Sequence, residues 1–341
     1  MKRKSLFLCS TLCLSSCAVS PTLRAQNSGF VYVTNKPSSA QQPASILGYS
    51  IRDNTGELTA VPGSPFQMSL GADTLAVTSS GRFLYTPSAI PGVQDGWGVS
   101  GYAIDANSGS LTPVPGSPFY ARTSLFGPAW PIMDPSGKFL YVMTYYYSQV
   151  FVYLIGQNTG ALTLEPNLPL VTQYYYPTVF TLDATGQFAY IAYQAGRSNG
   201  PAIPAYRIDP TSGSFTLVPG SPFIIPNDPS AANKNGPSLT WAATDPSAGF
   251  LYVADSNQLD LWTFAIDGTS GALTLTPTSP MHMPHGSNQF AFGRTSGFAY
   301  FTTLYPNSTD CANFFPYSNV YAPDSVFCLH HRPDNWRSFT S

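Results

Sequence analysis

Along the chain, short runs of alternating apolar and polar residues are separated by breaks rich in Gly, Pro, Asp and Ser. A period of two over four to eight residues, bounded by turn residues, is the pattern of half-buried strands. The runs echo one another. Phe30-Val31-Tyr32-Val33, Phe83-Leu84-Tyr85, Phe139-Leu140-Tyr141-Val142, Phe188-Ala189-Tyr190-Ile191, Phe250-Leu251-Tyr252-Val253 and Phe298-Ala299-Tyr300-Phe301 are versions of one aromatic strand. Five of them are followed by a Gly-centred turn, at Gly56, Gly109, Gly160, Gly213 and Gly271, spaced 53, 51, 53 and 58 residues apart. No segment sustains a 3.6-residue period with caps, so helix content is expected to be minimal.

One unit, residues 128–170, predicts four strands. Pro128 to Met133 is followed by the turn Asp134-Pro135-Ser136-Gly137, then Lys138 to Met143, then Val150 to Leu154, and a last strand begins at Ala161. Asp accepts backbone hydrogen bonds, Pro presets φ and Gly tolerates positive φ, so the tetrapeptide closes a hairpin. The turn recurs at Asp183 and Asp245, and the turn after the third strand carries Asp53, Asp105, Asp209 and Asp267. All seven acids read as structural hydrogen-bond acceptors. The fourth strand is expected to leave through Val61-Pro62-Gly63-Ser64-Pro65-Phe66 and its copies at Val114 and Val218. Four antiparallel strands in ~50 residues make one propeller blade. The expectation is an all-β β-propeller over residues 27–303 with six detectable blade units.

The Phe30 strand reads as the second of its blade, so the first would come from the tail, residues 304–341. In that tail Asn319-Val320-Tyr321-Ala322 is a third-strand candidate, and the stretch from His330 to Trp336 matches nothing upstream. Either the tail closes a six-bladed ring or the ring is incomplete.

The 341 residues are 43% hydrophobic and only 9% charged, with a net charge of −2. There is no basic stripe, which argues against nucleic acid as a partner. After the N-terminus no apolar run approaches the ~20 residues that span a bilayer. Lys2-Arg3-Lys4 followed by Leu6 to Leu14 has the form of an export signal, and residues 1–26 are assigned to signal and linker. Leu14-Ser15-Ser16-Cys17 resembles a bacterial lipobox, with Cys17 lipidated; the alternative is cleavage after Ala25. Export places the protein in the periplasm, on the outer membrane through the lipid, or outside the cell. Cys311 and Cys328 are then a disulfide candidate. No metal and no cofactor is expected, and the protein is expected to be a monomer.

The Phe-Leu-Tyr-Val strand, the Asp-Pro-Ser-Gly turn and the Ile-Asp-x-x-Thr-Gly-x-Leu-Thr segment resemble the lactonase-type β-propellers, the family that includes 6-phosphogluconolactonase-like proteins. Tyr32-Val33-Thr34-Asn35 also matches the related Tyr-Val-Thr-Asn repeat. The resemblance covers about residues 30–303 and implies seven blades, with a Pro-Arg-His-type segment on the loop leading into a first strand near the central channel. Aligned on the turn glycines, the triplets there are Ala72-Asp73-Thr74, Pro128-Ala129-Trp130, Pro177-Thr178-Val179, Leu239-Thr240-Trp241 and Ser287-Asn288-Gln289. None supplies the Arg-His pair.

The ligand-facing candidates are Asp73, Trp130, Trp241, His285 and Gln289. Asp73 could serve as a base or hold a hydroxyl, with plain solvation as its alternative. Two indoles at one blade position could stack on a sugar ring or plug the channel. His282-Met283-Pro284-His285 is placed on another first-strand loop, without a carboxylate partner; His330 and His331 lie in the tail. Two functions are expected, in this order: a surface-interaction module binding a carbohydrate, sugar lactone, peptide or envelope protein, and a lactone hydrolase with a divergent site.

Overall fold

The computed structural model describes residues 27–35, 44–53, 55–68, 74–89, 96–120, 128–144, 149–171, 177–196, 200–227, 237–283, 287–292, 298–303, 326–330 and 338–339. All regular structure among them is β, in six antiparallel sheets. They group into two compact units, Met1–Tyr145 with Gln149–Val171, and Tyr146–Ser148 with Thr172–Ser341.

In the first unit, sheet one contains β1 (Asn27–Asn35), β2 (Ser45–Arg52), β3 (Leu58–Ala60) and β4 (Phe66–Gln67). Sheet two contains β5 (Ala76–Val77), β6 (Phe83–Ala89), β7 (Trp97–Ile104), β8 (Leu111–Pro113) and β9 (Phe119–Tyr120). Sheet three runs β10 (Pro128–Met133), β11 (Phe139–Thr144), β12 (Gln149–Ile155) and β13 (Leu162–Val171). In the second unit, sheet four holds β14 (Pro177–Leu182), β15 (Phe188–Gly196), β16 (Gly200–Ile203), β17 (Ala205–Ile208), β18 (Phe215–Leu217) and β19 (Phe223–Ile224). Sheet five holds β20 (Leu239–Thr244), β21 (Phe250–Asp255), β22 (Asp260–Ile266), β23 (Leu273–Leu275) and β24 (Met281–His282). Sheet six runs β25 (Ser287–Phe292), β26 (Phe298–Thr303), β27 (Val326–His330) and β28 (Ser338–Phe339).

The turn acids do what their chemistry suggests. Asp183 Oδ1 accepts from the Phe188 amide at 2.7 Å, and Asp245 Oδ1 accepts from the Gly249 and Phe250 amides at 2.8 Å each. Ser136, Thr185 and Ser247 hydroxyls donate to the acids of their own turns. After the third strand, Asp105, Asp209 and Asp267 each accept from the amides two and three residues on. Asp53 is an exception to the expectation. In the backbone pattern Arg52 takes the place of Asp105, since Gly56 N–H donates to Arg52 O as Gly109 N–H does to Asp105 O.

The fourth strand also differs from the sequence reading. It does not leave through the Pro-Gly-Ser-Pro segment but breaks there and returns to the third strand, so that β3 and β4 both pair with β2, and β8 and β9 both pair with β7. The loop serine fills the gap in the ladder. Ser64, Ser117, Ser221 and Ser279 Oγ accept the amides of Gly48, Gly101, Ala205 and Thr263 at 3.1, 3.0, 2.9 and 2.9 Å. Each of these serines precedes a cis proline.

Neighbouring sheets within a unit are tied by the aromatic strand. Tyr32 hydroxyl donates to Gly109 O at 2.6 Å, Tyr85 to Gly160 O at 2.8 Å and Tyr190 to Gly271 O at 3.2 Å. The phenylalanine two residues earlier lies on the same glycine: a Cβ there would come within 2.3 Å of Phe30, 2.4 Å of Phe83 and 2.3 Å of Phe188. These glycines also have φ near +72° to +80°, which a side chain disfavours. Arg82 and Arg207 cover the outer faces of Phe83 and Phe188 at 5.2 and 4.8 Å, and they donate to carbonyls of the neighbouring turn, at Gln157 and Thr269.

The tail completes its own sheet. β27 and β28 follow β26 as third and fourth strands, with Phe298 opposite His330. The third strand is therefore at 326–330; Asn319–Ala322 lie outside the described residues. β1 holds the second-strand place as expected, but among the described residues its strand partner is β2, and the tail strands pair with β26 instead.

Candidate functional site

Strands β21 and β22 of sheet five form a hairpin whose last paired residues are Asp255 and Asp260. Asp260 is in turn opposite His282 on β24. Side chains directly opposite one another share a face, so the three ionisable groups make one row across three strands. Both carboxylates are wholly buried, at 0% exposure. His282 is more than half exposed, and its Nδ1 lies 2.7 Å from Asp260 Oδ1.

The row is fastened from several sides. Asp255 Oδ1 accepts the amides of Ser238, Asn257 and Gln258 at 2.8, 2.9 and 3.3 Å, which joins the start of β20 to the hairpin loop. The Met283 amide donates to Leu259 O at 2.7 Å, fixing β24 beside the same loop. Burial raises the Asp255 pKa above the ordinary carboxylate value; the three amides and the nearby Trp262 indole oppose it without cancelling it. The Trp262 N–H lies close to this carboxylate but outside good hydrogen-bond geometry.

The same row can be read in four other sheets from strand register. It is Asn35, Ser45 and Gln67 in sheet one, and Ser88, Gly98 and Tyr120 in sheet two. In sheet three it is Thr144, Gln149 and Val171, with the Gln149 amide donating to Thr144 Oγ1 at 3.3 Å. In sheet four it is Tyr193, Ala202 and Ile224. All twelve are neutral. Sheet five alone among these five carries ionisable side chains there, at all three positions.

This corrects the reading of His282. It is not on a loop leading into a first strand but on a paired strand, and it does have a carboxylate partner. In the sequence, Asp255-Ser256-Asn257-Gln258-Leu259-Asp260 has the composition of an ordinary polar turn, which conceals the pair. Comparing the residue five places after each strand-opening Phe would have singled out Asp255.

Among the other candidates, Trp130 and Trp241 occupy the same place in their sheets, just after a register irregularity near the start of β10 and β20. Val179 and Gln289 stand at the matching places of β14 and β25. These four places agree with the alignment on the turn glycines. Such bulges re-aim a side chain. Trp241 is half-buried, packs against the two apolar clusters of its unit and has a buried Nε1 without an acceptor. Asp73, His285, His331, Cys17 and Cys311 lie outside the described residues; Gln289, Cys328 and His330 are described by strand position alone. No group of three or more His, Cys, Asp or Glu that could hold a metal ion occurs among the described residues.

The fold is that of a β-propeller, and in sequence the chain is similar to β-propellers of the lactonase type. The family model described as "Lactonase, 7-bladed beta-propeller" matches residues 131–227. A 6-phosphogluconolactonase of Pectobacterium carotovorum is 25% identical over 280 residues, 79% of this chain and 74% of the relative. The periplasmic gluconolactonase PpgL of Pseudomonas aeruginosa superposes with a TM-score of 0.66 at 17% identity, covering 91% of this chain and 81% of that one. A Lactobacillus plantarum protein gives 0.62 at 17% identity, covering 93% and 82%. The structural likenesses speak for the fold. The sequence matches lean toward a lactonase over the binding module that was expected first.

Proposed function

We propose that this chain hydrolyses a sugar lactone. The observation that carries the reading is the 280-residue likeness to a 6-phosphogluconolactonase, in a chain that sets a solvent-reaching imidazole against a buried carboxylate. Lactone opening needs an activated water and stabilisation of the oxyanion that forms. Trp241, at the bulge near the start of β20 in the same sheet as that imidazole, is the aromatic candidate for stacking on the sugar. The protein works outside the cytoplasm, with residues 1–26 as signal and linker and Cys17 as the lipid-bearing residue. Fatty-acid labelling that persists in Cys17→Ser would exclude that anchor.

The hydrolase is distinguished from a binding module by NMR of glucono-1,5-lactone mixed with catalytic amounts of the purified chain. Turnover replaces the lactone resonances with those of the open acid faster than the buffer control. A binding module broadens or shifts them while the lactone decays at the control rate, and that outcome rejects the proposal.

A further inference from the structure

We infer that His282, oriented by Asp260, is the water-activating base of this chain, at the end of sheet five; the inference rests on the lactone-hydrolase reading above. The first support is the contrast between sheets. Four sheets of the same pattern are built with neutral residues along the row, including Ser, Gly, Gln and Ala at the place of Asp260. The fold therefore does not require charge there. Burying a carboxylate is costly unless it is paired, yet sheet five buries two of them side by side and sets an imidazole against one. Groups held in such surroundings concentrate where chemistry is done.

The second support is geometry. Asp260 Oδ1 lies 2.7 Å from Nδ1; a carboxylate at that distance favours the proton on Nδ1 and leaves Nε2 as the basic nitrogen. The ring is more than half exposed, so water and a lactone reach it. Nε2 takes a proton as the water oxygen bonds to the lactone carbonyl carbon. The tetrahedral intermediate then expels the ring oxygen, the C–O bond breaks, and the imidazolium returns the proton to that oxygen. One water is consumed and a hydroxy acid leaves, with no oxidant or second reactant. Asp255 is a positioning residue: its three amide contacts hold the hairpin loop and the start of β20 in place.

The test is steady-state hydrolysis of glucono-1,5-lactone and its 6-phosphate by the full chain and by His282→Ala, His282→Gln and Asp260→Asn. Loss of a general base lowers kcat by about 10²- to 10⁴-fold. Both His282 variants are expected to fall in that range with KM little changed, and added imidazole is expected to restore part of the His282→Ala rate. Asp260→Asn is expected to lower kcat at similar KM. If the Asn variant misfolds by circular dichroism, the two variants of the exposed histidine decide alone. Wild-type kcat in both His282 variants overturns the inference and leaves the lactonase reading standing. A wild-type chain without turnover on either lactone overturns both.

Discussion

The hydroxyl of Tyr85 donates to the carbonyl of Gly160, 75 residues later, across a distance of 2.8 Å. Burial pushes the Tyr85 pKa well up, so the phenol remains a donor at any physiological pH. Phe83 rests on the same glycine. This is how one repeat is fastened to the next within a unit. Tyr85→Phe removes the donor and leaves the acceptor without it, at an expected cost of about 1 kcal/mol, read as a lower urea midpoint at an unchanged slope.

Two glycines separate backbone preference from packing. Gly56 and Gly160 have nearly the same φ, +67° and +72°, but a Cβ at Gly56 meets nothing within 4 Å while one at Gly160 meets the Phe83 ring at 2.4 Å. Gly56→Ala should therefore cost only the left-handed penalty, about 1–2 kcal/mol. Gly160→Ala adds overpacking of about 1–3 kcal/mol. Equal midpoints for the two variants would contradict the packing account.

In sheet four the broken last strand depends on a serine. Ser221 Oγ accepts the amide of Ala205, a residue with no exposed surface. Ser221→Ala leaves that N–H unpaired, at an expected cost of about 1–3 kcal/mol, and amide exchange at Ala205 should accelerate by more than at Tyr190 in the adjacent strand.

Buried and exposed carboxylates should pull stability in opposite directions with pH. Burial raises the Asp255 pKa, so the folded state keeps a proton that the unfolded chain gives up. The contribution of this residue is most favourable below the ordinary carboxylate range and falls as pH rises through the raised value. Amide and hydroxyl donors, chiefly from Ser108 and Ser270, lower the pKa of Asp105 and Asp267; their contribution is present above the ordinary value and lost as pH falls. Unfolding midpoints across about pH 3 to 7 should show Asp255→Asn gaining on the wild type as pH rises. The pair Asp105→Asn and Asp267→Asn should instead flatten the loss on the acid side.

The fold was legible because it is written repeatedly. The Phe-x-Tyr strand, the Asp turn and the Thr-Gly or Ser-Gly turn each recur at fixed offsets, and each proves to make the same contact in sheet after sheet. The return of the fourth strand was not legible, since β4, β9 and β24 are two residues long and too short to show a period of two. The site was hidden for a different reason. Asp255, Asp260 and His282 are separated in sequence and become a row only through strand register. Their meaning comes from comparison with Asn35, Ser88, Thr144 and Tyr193, neutral residues at the place of Asp255, a comparison across repeats that no single motif contains.

The most direct measurement is acid release from glucono-1,5-lactone in a pH-stat, as a function of the concentration of the purified chain. The account predicts a rate above the spontaneous one that rises in proportion to protein and disappears in His282→Gln. A slope of zero against protein concentration, in a preparation shown by circular dichroism to be folded β, would contradict it.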